Sequence, residues 1–256
     1  MRKTLNEIGR QFDTDKPASG YTDRYARYFE RYRDAPVKLL ELGVRTGGSL
    51  LMWREYFAQG VIVGIDINQS PFTGDMPERV HFYPGSQDDR QLLTQIARET
   101  APDGFDIIID DAAHVGILAR ASFDCLFADH LKPGGIYVIE DWGTGYWNTW
   151  ADGELYHGSA SSDRATESRV SLIARTLLRR LSRRLGLAGP PAESNAVDPH
   201  FASHNFGMVG FVKELVDRLA WGDITRPGSG NEKIAMTDLG IKNITFFPGQ
   251  VFIEKR

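Results

Sequence analysis

The sequence predicts an α/β fold, a mostly parallel seven-stranded sheet that ends in an antiparallel hairpin. Short apolar runs alternate with helical segments across residues 37–141, the pattern of right-handed βαβ units. The chain then closes with KNITFF–PGQ–VFIEKR, two strands around a tight turn. All-parallel dinucleotide-binding sheets lack such a hairpin.

Residues 1–36 read as helical, with Tyr25, Tyr28 and Phe29 sharing a face at i, i+3, i+4. VKLLELG is the first strand, and SLLMWREYFAQG is a helix closed by Gly60. VIVGIDI is the second strand, HFYPG the third, and DRQLLTQIARET the helix after it. FDIIIDD reads as a buried strand, ILARASFDCLFADHL as a helix, and GGIYVIED as a strand introduced by the Pro133-Gly134-Gly135 turn. Residues 151–205 break this alternation. They hold a segment with Leu172, Ile173, Leu177, Leu178 and Leu181 at helical spacing, and an excess of arginine. This insertion is expected to be a lid or an oligomer contact, and FGMVGFVKELVDRLA after it a helix.

With 256 residues, the expected organisation is a single domain over 1–256, with the N-terminal helical segment 1–36 and the insertion 151–205. Hydrophobic residues make up 41% and charged residues 25%, which excludes a disordered chain. A net charge of −4 argues against nucleic acid as the partner. Cys125 is the one cysteine, so no disulfide forms within the chain. No apolar run approaches a membrane span, and the N-terminus lacks a signal-peptide core. A cytoplasmic protein is expected.

Candidate chemistry gathers at the carboxyl ends of the strands. The first strand runs into Glu41-Leu42-Gly43-Val44-Arg45-Thr46-Gly47-Gly48-Ser49, a G-x-x-x-G-G loop that lets a ligand approach the backbone and a helix N-terminus. It is neither the dinucleotide G-x-G-x-x-G nor a phosphate-binding P-loop. Asp66 ends the second strand 23 residues after Gly43, where an acid can accept both ribose hydroxyls. Ser86 and Gln87 follow the third strand and could read an adenine edge; the structural alternative is a helix cap by Ser86 or Asp88. The fourth and fifth strands finish Asp110-Asp111 and Glu140-Asp141. Four acids in one crevice repel unless a cation is present, and oxygen ligands favour Mg²⁺ or Mn²⁺. His114 lies within reach of that crevice and suits a general base. Trp142, Tyr146, Trp147 and Trp150 follow directly, either an acceptor platform or lid packing.

ELGVRTGGS, GIDI, GSQD, IIIDDAAH, LKPGGIYVIEDWGTGYW and VFIEKR together resemble the class I S-adenosylmethionine-dependent methyltransferases. Within that Rossmann-like class the chain is most similar to metal-dependent sugar O-methyltransferases of macrolide deoxysugars and methylmannose polysaccharide. The resemblance implies that Asp111, Glu140 and Asp141 hold Mg²⁺ and that His114 is the base, with Asp111 as the other candidate. It implies a cofactor-binding set of Glu41, Gly43, Ser49, Asp66, Ser86, Gln87 and Asp110. Gly43 and Ser49 would meet the methionine end, Asp66 the ribose, and Ser86 and Gln87 the adenine. The expected acceptor is a small molecule or oligosaccharide approached by Trp142, Tyr146 and Trp147, and the expected assembly is a homodimer. Phenolic or catechol O-methylation is the alternative activity. A dinucleotide oxidoreductase lacks its fingerprint here, and a non-catalytic cofactor-binding module would need no carboxylate cluster.

Overall fold

The computed structural model describes residues 2–156, 203–228, 230 and 238–256. Helices α1 (Leu5–Gly9) and α2 (Tyr21–Phe29) and a 3₁₀ turn (Glu30–Tyr32) precede β1 (Lys38–Leu42). Then follow α3 (Gly48–Tyr56), β2 (Val61–Asp66), β3 (Val80–Pro84), α4 (Arg90–Thr100), β4 (Phe105–Asp110), α5 (Gly116–Asp129) and β5 (Leu131–Glu140). A 3₁₀ turn (Trp142–Tyr146) and α6 (Ala151–Leu155) come next. Helix α7 (Gly207–Ile224) and strands β6 (Ile241–Phe247) and β7 (Gln250–Lys255) complete the described elements.

The strands form one sheet in the order β3-β2-β1-β4-β5-β7-β6. The first five are parallel, and β7 runs antiparallel to both β5 and β6. The alternating pleat splits the core between the two faces. Leu40, Leu42, Ile108 and Tyr137 pack against α4, α5 and α7 through Leu93, Phe123 and Phe211. Leu39, Ile107, Ile109 and Val138 pack on the other face against α1, α2 and α3 through Leu5, Phe29 and Trp53. Tyr25 and Phe29 are fully buried, so the aromatic face read in the N-terminal segment is core.

Three local expectations differ from the structure. Helix α3 ends at Tyr56 with Phe57 as its cap, and Gly60 instead fits closely between Phe57 and Val37. Asp89, rather than Ser86 or Asp88, caps α4 by accepting from Gln91 N and Leu92 N. Strand β5 already begins at Leu131, so the Pro-Gly-Gly turn lies inside it. The insertion's apolar and arginine-rich segment falls outside the described residues.

In-register pairing sets Leu42 beside Asp110 and Asp110 beside Ile139. The ends of β1, β4 and β5 therefore open on one side of the sheet. Strand order reverses between β1 and β4, the topological switch point where open α/β sheets bind ligands.

Candidate active site

The loop after β1 is shaped by its glycines and by Asp66. Gly43 has φ +88°, and a Cβ there would lie 2.2 Å from the Asp111 carbonyl oxygen, so only glycine lets the β1 and β4 loops approach this closely. Asp66 Oδ2 accepts from Val44 N (2.9 Å) and Arg45 N (3.0 Å), while Oδ1 accepts from Asn68 N (2.9 Å). Burial works against this carboxylate, but the backbone donors outweigh it and hold it below the usual range. Ser49 Oγ donates to the buried Glu41 at 2.7 Å. These contacts fix the shape of the loop.

Gln87 is buried and spends its amide inside the protein. Nε2 donates to Asp110 Oδ1 at 3.1 Å, and Oε1 accepts from Ala113 N at 2.9 Å. Asp110 also accepts from Ser122 Oγ at 2.8 Å, and burial pushes its carboxyl up to about 6. These two residues, expected at the cofactor, tie the β3 and β4 loops together in this structure. Ser86 Oγ donates to Asp88.

Three side chains from the ends of β4 and β5 converge. Asp111, His114 and Asp141 each offer a ligand atom within 4.8 Å of the others. His114 Nε2 lies 3.7 Å from Asp111 Oδ1 and 3.8 Å from Asp141 Oδ2. Both His114 (φ 53°) and Asp141 (φ 52°) adopt the left-handed backbone region, a strained state for side chains with a Cβ and one that concentrates at functional sites. His114 Nδ1 is buried and makes no hydrogen bond among the described residues, and the ring packs edge-on to Trp150 at 5.2 Å. Asp111 and Asp141 keep 23% and 39% of their side chains exposed, so a ligand can reach them.

The outward oxygens of these carboxylates are aimed by the inward ones. Lys16 Nζ donates to Asp111 Oδ2 at 2.7 Å and to Glu140 Oε1 at 2.9 Å, and Tyr21 OH donates to Asp141 Oδ1 at 2.5 Å. Tyr25 OH donates to the same Glu140 oxygen. Glu140, expected among the metal ligands, therefore does not converge with the other three; it is buried and engaged by Lys16 and Tyr25. Burial works against the Lys16 ammonium, but Asp111, Glu140 and Glu41 outweigh it and hold the lysine charged. Burial, then the hydrogen bond to Asp141, keeps Tyr21 a phenol.

Lys16, Tyr21 and Tyr25, which hold the inward oxygens of these acids, are the site neighbours that sequence reasoning missed. The faint signal was Tyr21 and Tyr25 at i, i+4 on one face of α2. The expected acceptor residues differ from one another. Trp142 Nε1 donates to the Phe247 carbonyl at 3.0 Å and anchors its turn, whereas Trp147 is exposed. Tyr146 packs on His204 at 4.8 Å, and His204 stacks on Tyr156 at 4.0 Å.

Strand order, glycine loop and strand-end acids together define the Rossmann-like class I methyltransferase fold. Among curated proteins the chain is similar to mycinamicin VI 2''-O-methyltransferase of Micromonospora griseorubida, 40% identical over 152 residues, or 56% of this chain and 37% of that one. It is similar to demethylmacrocin O-methyltransferase of Streptomyces fradiae over the same shares at 40% identity. A tetracenomycin-C relative from Streptomyces olivaceus, an 8-demethyl-8-alpha-L-rhamnosyl tetracenomycin-C 2'-O-methyltransferase, is 29% identical over 92% of this chain and 50% of its own. The chain spans half or less of the length of these relatives. Among solved structures, the MycE methyltransferase of mycinamycin biosynthesis with Mg and SAH matches with a TM-score of 0.67 and 27% identity, over 100% of this chain and 55% of that one. No family model matches.

Proposed function

We propose that this chain transfers a methyl group from S-adenosylmethionine to a sugar hydroxyl, aided by Mg²⁺. The convergence of Asp111, His114 and Asp141 beside the residue 43–49 loop carries the reading, supported by the sugar-modifying relatives. The donor set fits a hard divalent cation, since carboxylate oxygens of Asp111 and Asp141 lie close enough to share an ion, with the His114 imidazole beside them. Asp111 and Asp141 would hold it, with Glu140 completing the acidic wall. Such an ion, when bound, lowers the cost of forming an alkoxide from a poorly acidic hydroxyl.

The chain's own residues supply the rest. The residue 43–49 loop offers the α3 N-terminus and Ser49 to the methionine end of S-adenosylmethionine, and the second strand end, Asp66, faces its ribose. Ser86 and Gln87 border the adenine side, with Gln87 acting by shaping the loop. His114 Nε2 takes the hydroxyl proton, with the Asp111 and Asp141 carboxylates placed to stabilise the resulting imidazolium. Trp147, Tyr146 and Trp150 offer apolar faces to the acceptor, and Trp142 holds their turn in place. Alignment of oxygen, methyl carbon and sulfur is the main catalytic task.

The acceptor class proposed is a glycosylated small molecule or an oligosaccharide, including polysaccharide precursors. The assembly proposed is a cytoplasmic homodimer, supported by the exposed apolar Val216, Leu219 and Ile224 on α7. No helix among the described residues is long and apolar enough to cross a membrane. Labelled S-adenosylmethionine with Mg²⁺ and a panel of macrolide glycosides, mannosides and catechols tests the reading. Transfer to a glycoside that stops in chelator is expected; transfer to catechols alone would reassign the acceptor.

A further inference from the structure

The site's acids owe their arrangement to one stretch of chain near the N-terminus. Lys16 is the central member. Its side chain is 1% exposed, and Nζ lies 2.7 Å from Asp111, 2.9 Å from Glu140 and 3.3 Å from Glu41. Those acids stand at the ends of β4, β5 and β1, so a single ammonium joins three strands. Burying an ammonium is costly unless it is paired, and the same holds for each carboxylate around it. Removing one partner therefore leaves the others exposed to each other's charge.

The strap that carries Lys16 is fixed on the glycine loop. The Asp13 carbonyl accepts from Thr46 Oγ1 at 2.9 Å, and a Cβ on Gly48 would lie 2.0 Å from that oxygen. Lys16 thus reaches the acids from a segment resting on the loop that would hold S-adenosylmethionine. Asp111 is shared. Oδ2 faces Lys16 and Oδ1 faces His114.

We propose that Lys16 is a positioning residue of the divalent-cation site, an internal counter-ion that turns Asp111 toward His114 and tempers the pull of the acidic cluster on the dication. The proposal rests on the metal-dependent reading above. The Lys16 ammonium is the buried cation set against Asp111, Glu140 and Glu41, and it offsets part of the negative charge that a dication would otherwise meet. Without the ammonium, Glu41, Asp111 and Glu140 face one another with no cation between them. A like charge this near also opposes Mg²⁺, since Coulomb repulsion between partly buried charges a few ångström apart is only weakly screened.

The test compares wild type with Lys16→Met by thermal melting in chelator and in saturating Mg²⁺, and by calorimetric Mg²⁺ titration. In chelator the variant melts well below wild type. Added Mg²⁺ raises its melting temperature by more than it raises that of wild type, and the Mg²⁺ affinity tightens at least tenfold. A Lys16 role limited to packing would lower both melting temperatures equally and leave the Mg²⁺ response unchanged, which overturns the proposal. Should Lys16→Met fail to fold, ¹⁵N spectra of the lysine ammonium groups in wild type decide the matter. The buried Lys16 signal shifts on Mg²⁺ saturation if the proposal holds, and stays fixed while Mg²⁺ binds if it does not. A wild type that binds no Mg²⁺ at all refutes the metal-dependent reading itself, and the proposal with it.

Discussion

Gly43→Ala tests whether the close approach of the β1 and β4 loops builds the site. Gly43 sits at φ +88°, where a residue with a Cβ pays about 1–2 kcal/mol. The added Cβ would also lie 2.2 Å from the Asp111 carbonyl oxygen and 2.6 Å from Ala112 Cα, both backbone atoms that cannot rotate away. Overpacking of this kind adds about 1–3 kcal/mol, for a total of about 2–5 kcal/mol. At roughly 2–4 °C per kcal/mol for a chain of this size, the melting temperature falls by about 4–20 °C. Gly134→Ala is the matched control, since Gly134 has φ +76° but nothing within 4 Å of its Cβ position. It should lose only the backbone strain. Thermal melts of both variants, paired with Mg²⁺ titrations, separate the contributions. Gly43→Ala should melt lower and bind Mg²⁺ more weakly, because the atoms it pushes are the backbone of Asp111 and Ala112. Equal melting temperatures and unchanged Mg²⁺ binding would refute the reasoning.

Glu214 on α7 pairs with Arg120 on α5 and with Arg218, and the hydrogen bond from Arg120 holds its carboxyl down at about 2. A depressed acid stabilises the fold above its unfolded pKa of 4.5 and loses that contribution as pH falls toward 2. Glu214→Gln should therefore cost about 1 kcal/mol at neutral pH, after allowing for solvent screening, and nothing at the acid end. Urea titrations across pH 2–7 check this, and a cost independent of pH would contradict it. Asp152 accepts from Gly116 N at 2.8 Å and Met208 N at 2.6 Å, serving the first turns of both α5 and α7. Asp152→Ala leaves two buried N–H groups without an acceptor and should cost about 2–6 kcal/mol, with Asp152→Asn markedly milder in the same denaturation assay.

The sheet was legible because each strand is a compact apolar run ended by a polar or glycine-rich turn. The same punctuation marked Gly43, Asp66, Asp111, His114 and Asp141, since strand ends at a switch point share one crevice. The side chains that aim those acids were not legible. Lys16 meets Asp111 and Glu140 across 95 and 124 residues of sequence, and no local periodicity encodes such a contact. Tyr25 lies on the aromatic face that the periodicity marks, and its ring is core; its hydroxyl reaches Glu140, which a periodicity cannot show. Gln87 and Asp110 carry polar groups suited to a ligand, but their mutual hydrogen bond uses them internally. Sequence reasoning located the acids, and tertiary contacts decided which of their oxygens stay available.

The central claim is that Asp111 and Asp141, each anchored through one oxygen by the N-terminal segment, present the other oxygen to a divalent cation beside His114. Anomalous diffraction from crystals grown with Mn²⁺ tests it most directly. A single Mn²⁺ peak within ligand distance of Asp111 and Asp141 is predicted, and it should vanish in Asp141→Asn. Wild-type crystals with no peak there, or a peak that persists unchanged in Asp141→Asn, would contradict the account.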